Sequence, residues 1–369
     1  MKKLLFATCC IAFLSGSLGA AAQKKSVAKN VLTQTLNGKS WSADNGNGTF
    51  TNPLFYDEFS DPDIIRVGED YYLAGTTMHS VPGLVVLHSK DLVNWEFSSY
   101  CFDRFDDSDD FNLRNGKEAY GQGIWAPAIR YHNGKFYIFS NINGHGLQVY
   151  ISDSAKGPWT HHKVNGDIYD LSVLFDEDGK IYAVHKYGNV TVTELKPDLS
   201  GPVEGSSKVV IPEGNAMGEG HHVYKINGMY YILSADYSPM GRMQCARSKS
   251  IWGPYETCVI SERESYGYAA GWSVGNMGIG RPLPEDGFSF QNNKPNGLNL
   301  GCATIHQGGI VQAPDGKWWG VSMQDFNAVG RTVCLSPITW VDGWPYFGLE
   351  KNLGRSPRTW FKPNDMVKA

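Results

Sequence analysis

Asn133-Gly134-Lys135-Phe136-Tyr137 reads as a tight turn followed by an aromatic-rich strand, and the same pattern recurs along the chain. The other four copies are Gly68-Glu69-Asp70-Tyr71-Tyr72, Asp178-Gly179-Lys180-Ile181-Tyr182, Asn227-Gly228-Met229-Tyr230-Tyr231 and Asp315-Gly316-Lys317-Trp318-Trp319. Asn-Gly and Asp-Gly favour two-residue hairpin turns because both central residues need positive φ. Each copy therefore marks the junction of two antiparallel strands.

The spacing of the copies predicts the architecture. They lie on average about 62 residues apart, enough for a four-stranded blade with its loops. Three copies also share a downstream loop, at Ser89 to Trp95, Ser152 to Trp159 and Ser248 to Tyr255. The content of 42 glycines and 13% aromatic residues suits short strands and tight turns better than long helices. We therefore predict an all-β fold, a five-bladed β-propeller.

The N-terminus has the pattern of a cleaved secretory signal. Lys2 and Lys3 precede an apolar stretch from Leu4 to Leu14, and small residues follow as far as Ala22. We expect cleavage near Ala22 and a periplasmic or secreted protein.

The domain boundaries follow from this signal. We expect a signal peptide over residues 1–22, an N-terminal extension over 23–50 and the propeller over 51–369, with a loop insertion from Ser265 to Gly301. The apolar stretch is too short to span a membrane, and the part before Cys9 and Cys10 is too short to favour a lipid anchor.

Charge and cysteine content exclude other classes. There are 33 basic and 37 acidic residues, which gives no electrostatic basis for binding nucleic acid or an anionic membrane. Five cysteines follow the signal without a CxxC spacing, so neither a zinc site nor a disulfide scaffold is indicated. Cys245 and Cys258 flank one hairpin, and the sequence leaves their pairing open.

The repeat aligns one position of each blade with the others. Counting back 11 to 13 residues from the last aromatic residue of each copy gives Asp61, Trp125, Asp170, Glu219 and His306. If this strand is the innermost of its blade, the five side chains converge near the axis. Unpaired buried carboxylates are costly, so three at related positions indicate a functional site.

Three converging carboxylates suit glycoside hydrolysis. One carboxyl donates a proton to the leaving group while another activates water, and a third nearby keeps the acid protonated by like-charge repulsion. An inverting enzyme holds acid and base about 6.5–9.5 Å apart, which suits a wide axial cavity. The indole of Trp125 offers a face for sugar stacking, and packing between blades would explain it almost equally well.

Several segments resemble the signatures of glycoside hydrolase family 43. They are Phe59 to Asp63, Ile124 to Pro127, Asp170 to Phe175 and Glu219 to Tyr224, and Pro82 to Trp95 resembles the β-xylosidase and α-L-arabinofuranosidase branch. The resemblance extends from about Asn52 to Trp360. It implies a five-bladed propeller and an inverting mechanism whose chemistry requires no cofactor.

The resemblance also implies roles for single residues. Asp61 matches the general base, Glu219 the general acid, and Asp170 the residue that tunes and orients the acid. Arg331 matches a substrate-contacting arginine. His306 matches a histidine near a central calcium in many members, which implies a structural calcium ion.

Some of these assignments have rivals. Asp63 would face the same side as Asp61, but the family's base directly precedes a proline, which favours Asp61. His306 reads equally well as a core histidine, and Arg331 as the partner of a structural carboxylate. A lone histidine does not define a calcium site, which requires oxygen ligands.

The sequence departs from the family in two places. Glu219-Gly220-His221-His222 has a histidine where proline is usual, which predicts a changed wall behind the acid. The sequence also stops soon after Trp360, where relatives of this branch often continue into a β-sandwich. Substrate preference is therefore open.

Our leading hypothesis is a secreted, inverting glycoside hydrolase that releases xylose or arabinose from plant cell-wall polysaccharides or oligosaccharides. The alternative is a non-catalytic carbohydrate-binding propeller, against which the complete set of Asp61, Asp170 and Glu219 argues. A protein-interaction platform would rest on the fold alone.

Overall fold

The computed structural model describes residues 42–77, 81–105, 108–119, 121–215, 217–237, 240–261, 307–325, 331–354 and 359–363. The chain divides into two units, residues 1–42 and 43–369. The second unit begins at Ala43, before the boundary at residue 51 that the sequence predicts. The predicted signal peptide, the insertion at 265–301 and His306 lie outside the described residues.

Five four-stranded antiparallel sheets follow one another along the chain, which confirms the five-bladed β-propeller. Blade one contains β2 (Ser60–Val67), β3 (Asp70–Thr76), β4 (Gly83–Ser89) and β5 (Trp95–Phe102). Blade two contains β6 (Ile124–His132), β7 (Lys135–Ile142), β8 (Gly146–Ser152) and β9 (Thr160–Lys163). Blade three contains β10 (Ser172–Phe175), β11 (Ile181–His185), β12 (Val190–Leu195) and β13 (Lys208–Ile211).

The last two blades have the same order. Blade four contains β14 (His222–Ile226), β15 (Met229–Tyr237), β16 (Met240–Ser248) and β17 (Glu256–Val259). Blade five contains β18 (Ile310–Gln312), β19 (Trp318–Asp325), β20 (Arg331–Val341) and β21 (Trp344–Phe347), and a short 3₁₀ helix, Glu350–Asn352, follows. Among the described residues, no helix is long and apolar enough to cross a membrane.

The first strand of each blade is the innermost, because these strands contact one another across blades. The turns predicted from the repeat connect them to the second strands. In blades two and four both turn residues have positive φ, at 48° and 79° for Asn133 and Gly134 and 51° and 78° for Asn227 and Gly228. The turn chemistry of the repeat therefore forms the predicted hairpins.

Apolar side chains fill the five interfaces between blades, with one buried cluster at each interface. At the interface of blades five and one, Leu73 of β3 belongs to the same cluster as Val321 of β19. Strand β1 (Thr49–Thr51) pairs with β22 (Thr359–Phe361), which joins the two ends of the described chain. The segment before blade one also bonds to the last blade, because the Leu54 N–H donates to the Val333 carbonyl oxygen of β20 at 2.8 Å.

Buried polar groups join the inner strands near the axis. Asp63 is 1% exposed and accepts hydrogen bonds from the Ile129 N–H at 2.9 Å, from the Arg130 guanidinium and from His222 Nδ1 at 3.1 Å. Burial alone would raise the pKa of the Asp63 carboxyl, but Arg130 and His222 outweigh it and lower the pKa below its ordinary value. Asp63 thus links blades one, two and four.

Further hydrogen bonds complete this axial network. The Ser172 hydroxyl oxygen accepts from Arg130 and from the Val223 N–H at 3.0 Å, and the Tyr224 hydroxyl oxygen accepts from the Ile310 N–H at 2.8 Å. These bonds connect blades two, three, four and five. Because Asp63 adds blade one, polar contacts at the axis involve all five blades.

The two cysteines whose pairing the sequence left open face each other across β16 and β17. Both are free thiols in this structure. The sulfur of Cys258 lies 3.3 Å from the Tyr346 hydroxyl oxygen, while Cys245 is buried.

Candidate active site

A pocket of about 180 Å³ opens where the inner strands begin. Five of the six residues singled out from the sequence line it, and the lining comprises Asp61, Trp125, Ala126, Asn141, Tyr169, Asp170, Glu219, Gln307 and Arg331. The sixth, His306, lies outside the described residues, although its neighbour Gln307 belongs to the lining. The structure thus brings the three predicted carboxylates together.

Each inner strand has a residue in the left-handed backbone region within three positions of its first residue. The five are Asp61 (φ 50°), Ala126 (39°), Asp170 (51°), Gly220 (67°) and Gln307 (48°). This region is unfavourable for Ala and Gln, and such strain concentrates at functional sites. At Gly220 a Cβ atom would also come within 2.3 Å of the Gln307 side chain, so this position requires glycine.

The ladder register corrects the predicted equivalence of positions. In each blade the last aromatic residue of the repeat pairs with a residue of the inner strand, and the left-handed residue lies four positions before that partner. In blade one, Tyr72 pairs with Ile65, and Asp61 lies four positions before Ile65. The sequence count was therefore right in blades one and three and one residue early at Trp125, Glu219 and His306. The turns differ in length between blades, so a count along the chain does not fix the phase.

Asp61 stands at the start of β2 and is 7% exposed. Its Oδ2 accepts a hydrogen bond from the Thr76 hydroxyl at 2.6 Å, and its Oδ1 lies 3.5 Å from Arg331 Nη1. The predicted substrate-contacting arginine is thus a neighbour of the predicted base. A carboxylate with one occupied oxygen and one loosely contacted oxygen can accept a proton from water.

Asp170 is buried at the bottom of the same group. Burial, together with the negative charges of Glu219 and Asp61, raises the pKa of its carboxyl well above the ordinary value. The Gly220 N–H, which donates to Asp170 Oδ2 at 2.8 Å, and Arg331 act in the opposite direction. From the sequence we expected Asp170 to be ionised beside a protonated acid. In the structure the charge of Glu219 raises the pKa of Asp170, and because repulsion between two like charges is mutual, the carboxyls titrate as a coupled set.

Glu219 has a partner that the sequence did not reveal. The Tyr169 hydroxyl donates to Glu219 Oε2 at 2.8 Å. Burial and the charges of Glu219 and Asp170 raise the pKa of Tyr169, so the phenol keeps its proton and remains a donor. The sequence offered one signal for Tyr169, which is that it directly precedes Asp170. Adjacent residues share the segment that enters the pocket.

Comparison with known proteins matches this chain to a family. A model described as glycosyl hydrolases family 43 matches residues 50–267, more than half of the chain. The chain belongs to glycoside hydrolase family 43. It is 32% identical over 345 residues to a putative beta-xylosidase of Xylanibacter ruminicola, covering 89% of this chain and 56% of that protein.

Other members of family 43 have similar sequences and structures. The chain is 33% identical to a non-reducing end alpha-L-arabinofuranosidase of Bacteroides ovatus, covering 86% of this chain and 56% of that protein. A solved bifunctional GH43-CE protein of Bacteroides eggerthii superposes with a TM-score of 0.69 at 33% identity, covering 85% of this chain and 37% of that one. The chain spans about half the length of the curated relatives it matches.

The departure from the family 43 motif at His221 is a buried, fully bonded side chain. Its Nδ1 lies 2.6 Å from the Ser234 hydroxyl oxygen, and its Nε2 lies 2.6 Å from the Lys186 carbonyl oxygen. Because a carbonyl only accepts, Nε2 carries the proton and Nδ1 accepts from Ser234. Burial lowers the pKa of His221 to about 4, so the ring is neutral at neutral pH. This histidine ties the turn after Glu219 to Lys186, which follows β11.

The calcium ion implied by the resemblance finds no ligand set in the part of the chain that the structure describes. No group of three or more His, Cys, Asp or Glu side chains there could hold a metal ion.

Proposed function

We propose that this chain is the catalytic part of a secreted, inverting glycoside hydrolase that releases xylose or arabinose from plant cell-wall polysaccharides or oligosaccharides. The observation that carries this proposal is the pocket in which Asp61, Asp170 and Glu219 meet beside Arg331. The two named relatives, a putative beta-xylosidase and a non-reducing end alpha-L-arabinofuranosidase, support a pentose as the released sugar.

The proposed chemistry uses two carboxyl groups in opposite protonation states. Glu219 donates its proton to the glycosidic oxygen as the bond from that oxygen to the anomeric carbon breaks. Asp61 takes a proton from a water molecule, whose oxygen attacks the anomeric carbon from the opposite face. Since Glu219 Oε2 accepts from Tyr169, the transferred proton belongs on Oε1. The released sugar then has the inverted configuration.

The size of the pocket supports action at a chain end. Its volume of about 180 Å³ is small beside the roughly 300–1,000 Å³ typical of sites for drug-sized ligands. It suits a single terminal sugar, with Trp125 as a ring on which that sugar stacks. Secretion rests on the signal-like residues 1–22.

The test is to assay the full chain with p-nitrophenyl β-D-xylopyranoside and p-nitrophenyl α-L-arabinofuranoside side by side, and to follow the first-formed anomer by proton NMR. We expect turnover of at least one substrate and a first product of inverted configuration. Saturable binding of pentosides without turnover would favour the carbohydrate-binding propeller instead. A retained first product would refute the inverting mechanism.

A further inference from the structure

We propose that Thr76 is a positioning residue for Asp61, holding one carboxylate oxygen in place so that the other is presented to the attacking water. The proposal rests on the proposed function, because it takes Asp61 as the general base. It concerns a side chain that does not line the pocket and lies outside the segments that resemble the signatures of the family.

The geometry is a short hydrogen-bonded chain across the interface of blades one and two. Thr76 is the last residue of β3 and is fully buried. Its hydroxyl oxygen lies 2.6 Å from Asp61 Oδ2 and 2.8 Å from the backbone nitrogen of Ala126. Ala126 is the left-handed residue of β6, and its positive φ sets the direction of this N–H.

The direction of the hydroxyl proton follows from these two contacts. A backbone N–H can only donate, so the Thr76 oxygen accepts from Ala126. The single hydroxyl proton is then directed to the carboxylate oxygen of Asp61, which as an ion can only accept. The order of donation is therefore Ala126 to Thr76 to Asp61, and Asp61 Oδ2 is occupied by a fixed donor.

This arrangement has two consequences for a base. First, Oδ1 is the oxygen left to contact water, and its neighbour is Arg331 Nη1 at 3.5 Å. Second, a hydrogen bond to the charged form stabilises that form, so Thr76 favours the ionised carboxylate that a base requires.

Other groups act on the same carboxylate from the surrounding strands. Asp170 at the entry to β10 and Glu219 before β14 are the other carboxyl groups of the pocket, and Arg331 of β20 is the cationic neighbour. The phenol of Tyr169 is neutral, and the Met323 sulfur of β19, which is uncharged, lies 3.4 Å from the Asp61 nitrogen. Thr76 is thus a neutral hydroxyl donor beside these charged groups.

The hydrogen bonds from Ala126 through Thr76 to Asp61 also connect the base to another part of the pocket lining. Ala126 follows Trp125, the ring on which we place the terminal sugar. The same backbone turn therefore presents the sugar platform and fixes the base through Thr76. A change in the backbone at Ala126 would therefore displace both the Trp125 ring and the Asp61 carboxylate.

The matched test compares Thr76→Val, which keeps the branched shape and loses the hydroxyl, with Thr76→Ser, which keeps the hydroxyl. We measure kcat and KM against pH on one aryl pentoside, with the unfolding temperature of each variant.

For Thr76→Val we expect a loss of about 10- to 100-fold in kcat with KM little changed. The acidic limb of kcat/KM should move upward by about one pH unit. Thr76→Ser should stay within about threefold of wild type with the limb unmoved.

Three outcomes would overturn the proposal. An unmoved limb in an active Thr76→Val would show that the hydroxyl does not act on the base. An equal loss in Thr76→Ser, which keeps the hydroxyl, would show that packing at this buried position controls the activity and that the hydroxyl does not. Full additivity with Asp61→Asn would show that Thr76 acts elsewhere. If Thr76→Val does not fold, Thr76→Ala is measured in the same way. An inactive wild type would refute the proposed function, whereas an active wild type with an unmoved variant profile refutes this inference alone.

Discussion

Asp61 and Asp63 stand two residues apart on the same inner strand, and their surroundings differ in every respect that matters for chemistry. Asp63 accepts from two backbone N–H groups, of Ile64 and Ile129, and from two cationic or imidazole side chains. Asp61 accepts one hydroxyl, and its second oxygen has a single contact at 3.5 Å to a partly exposed guanidinium.

The difference shows what separates a structural carboxylate from a reactive one. All accepting positions of Asp63 are directed at fixed donors near the axis, so it has no oxygen to offer a water molecule. Asp61 lines the pocket and keeps one oxygen available. These surroundings favour Asp61 over Asp63 as the base, and that assignment stays a prediction.

The largest loss of activity is expected from a change at the proposed acid, Glu219. Replacing Glu219 with Gln should lower kcat/KM by about a thousandfold or more on oligosaccharides, whose leaving groups need a proton. Activated aryl glycosides should lose much less, because their leaving groups depart without one. Steady-state kinetics on both substrate types checks this, and equal losses would count against Glu219 as the acid.

A second prediction concerns the structural partner. Asp63→Asn leaves the Arg130 charge buried without its counter-ion, so we expect a loss of about 3–5 kcal/mol in the free energy of unfolding. The matched variant Asp61→Asn should lose much less, since its arginine neighbour is partly exposed. Urea unfolding of both variants measures the difference, and equal losses would remove the distinction drawn here.

The pH dependence of the free energy of unfolding is a further test of the structural role of Asp63. The folded-state pKa of Asp63 lies below its ordinary value, so its stabilisation is complete above the unfolded pKa, about 4. It is lost as pH falls through the folded pKa. The stability of Asp63→Asn should therefore decline less than that of wild type on acidification below about pH 4. A parallel decline would contradict the linkage.

The sequence predicted the fold because the Asn-Gly and Asp-Gly turns carry their own backbone chemistry and recur at the period of a blade. It located most of the pocket because Asp61, Asp170 and Glu219 stand at the start of inner strands. It missed Thr76 and Tyr169, since a hydroxyl's role depends on what it touches after folding. The count missed the equivalent position by one residue at Trp125 and Glu219, because the register of the strand ladder sets that position and spacing along the chain does not.

A fourth prediction concerns Asp170, one of two neighbours of Glu219. Asp170→Asn removes a negative charge close to Glu219, so the basic limb of kcat/KM should move to lower pH by up to about one unit. The shift is limited because Asp170 itself tends to hold a proton. An unmoved limb would leave Asp170 with the orienting contact to the Gly220 N–H, and an upward shift would contradict the electrostatic argument.

The smallest change is expected at Tyr169. Tyr169→Phe removes the hydroxyl that donates to Glu219 Oε2. Because this loss destabilises the ionised carboxylate, the basic limb should move upward by a few tenths of a pH unit. We expect a loss in kcat/KM of about threefold to tenfold. The opposite directions expected for Tyr169→Phe and Asp170→Asn provide an internal control, and a shared direction would refute the arrangement around Glu219.

The most direct measurement is kcat/KM of Asp61→Asn and Asp63→Asn on the same aryl pentoside, at a temperature where both variants are folded. We predict that Asp61→Asn loses about a thousandfold or more with an unfolding temperature close to that of wild type. Folded Asp63→Asn should keep kcat/KM within about tenfold of wild type. Near-normal activity in Asp61→Asn, or a larger loss in folded Asp63→Asn, would contradict the assignment of the reactive carboxylate.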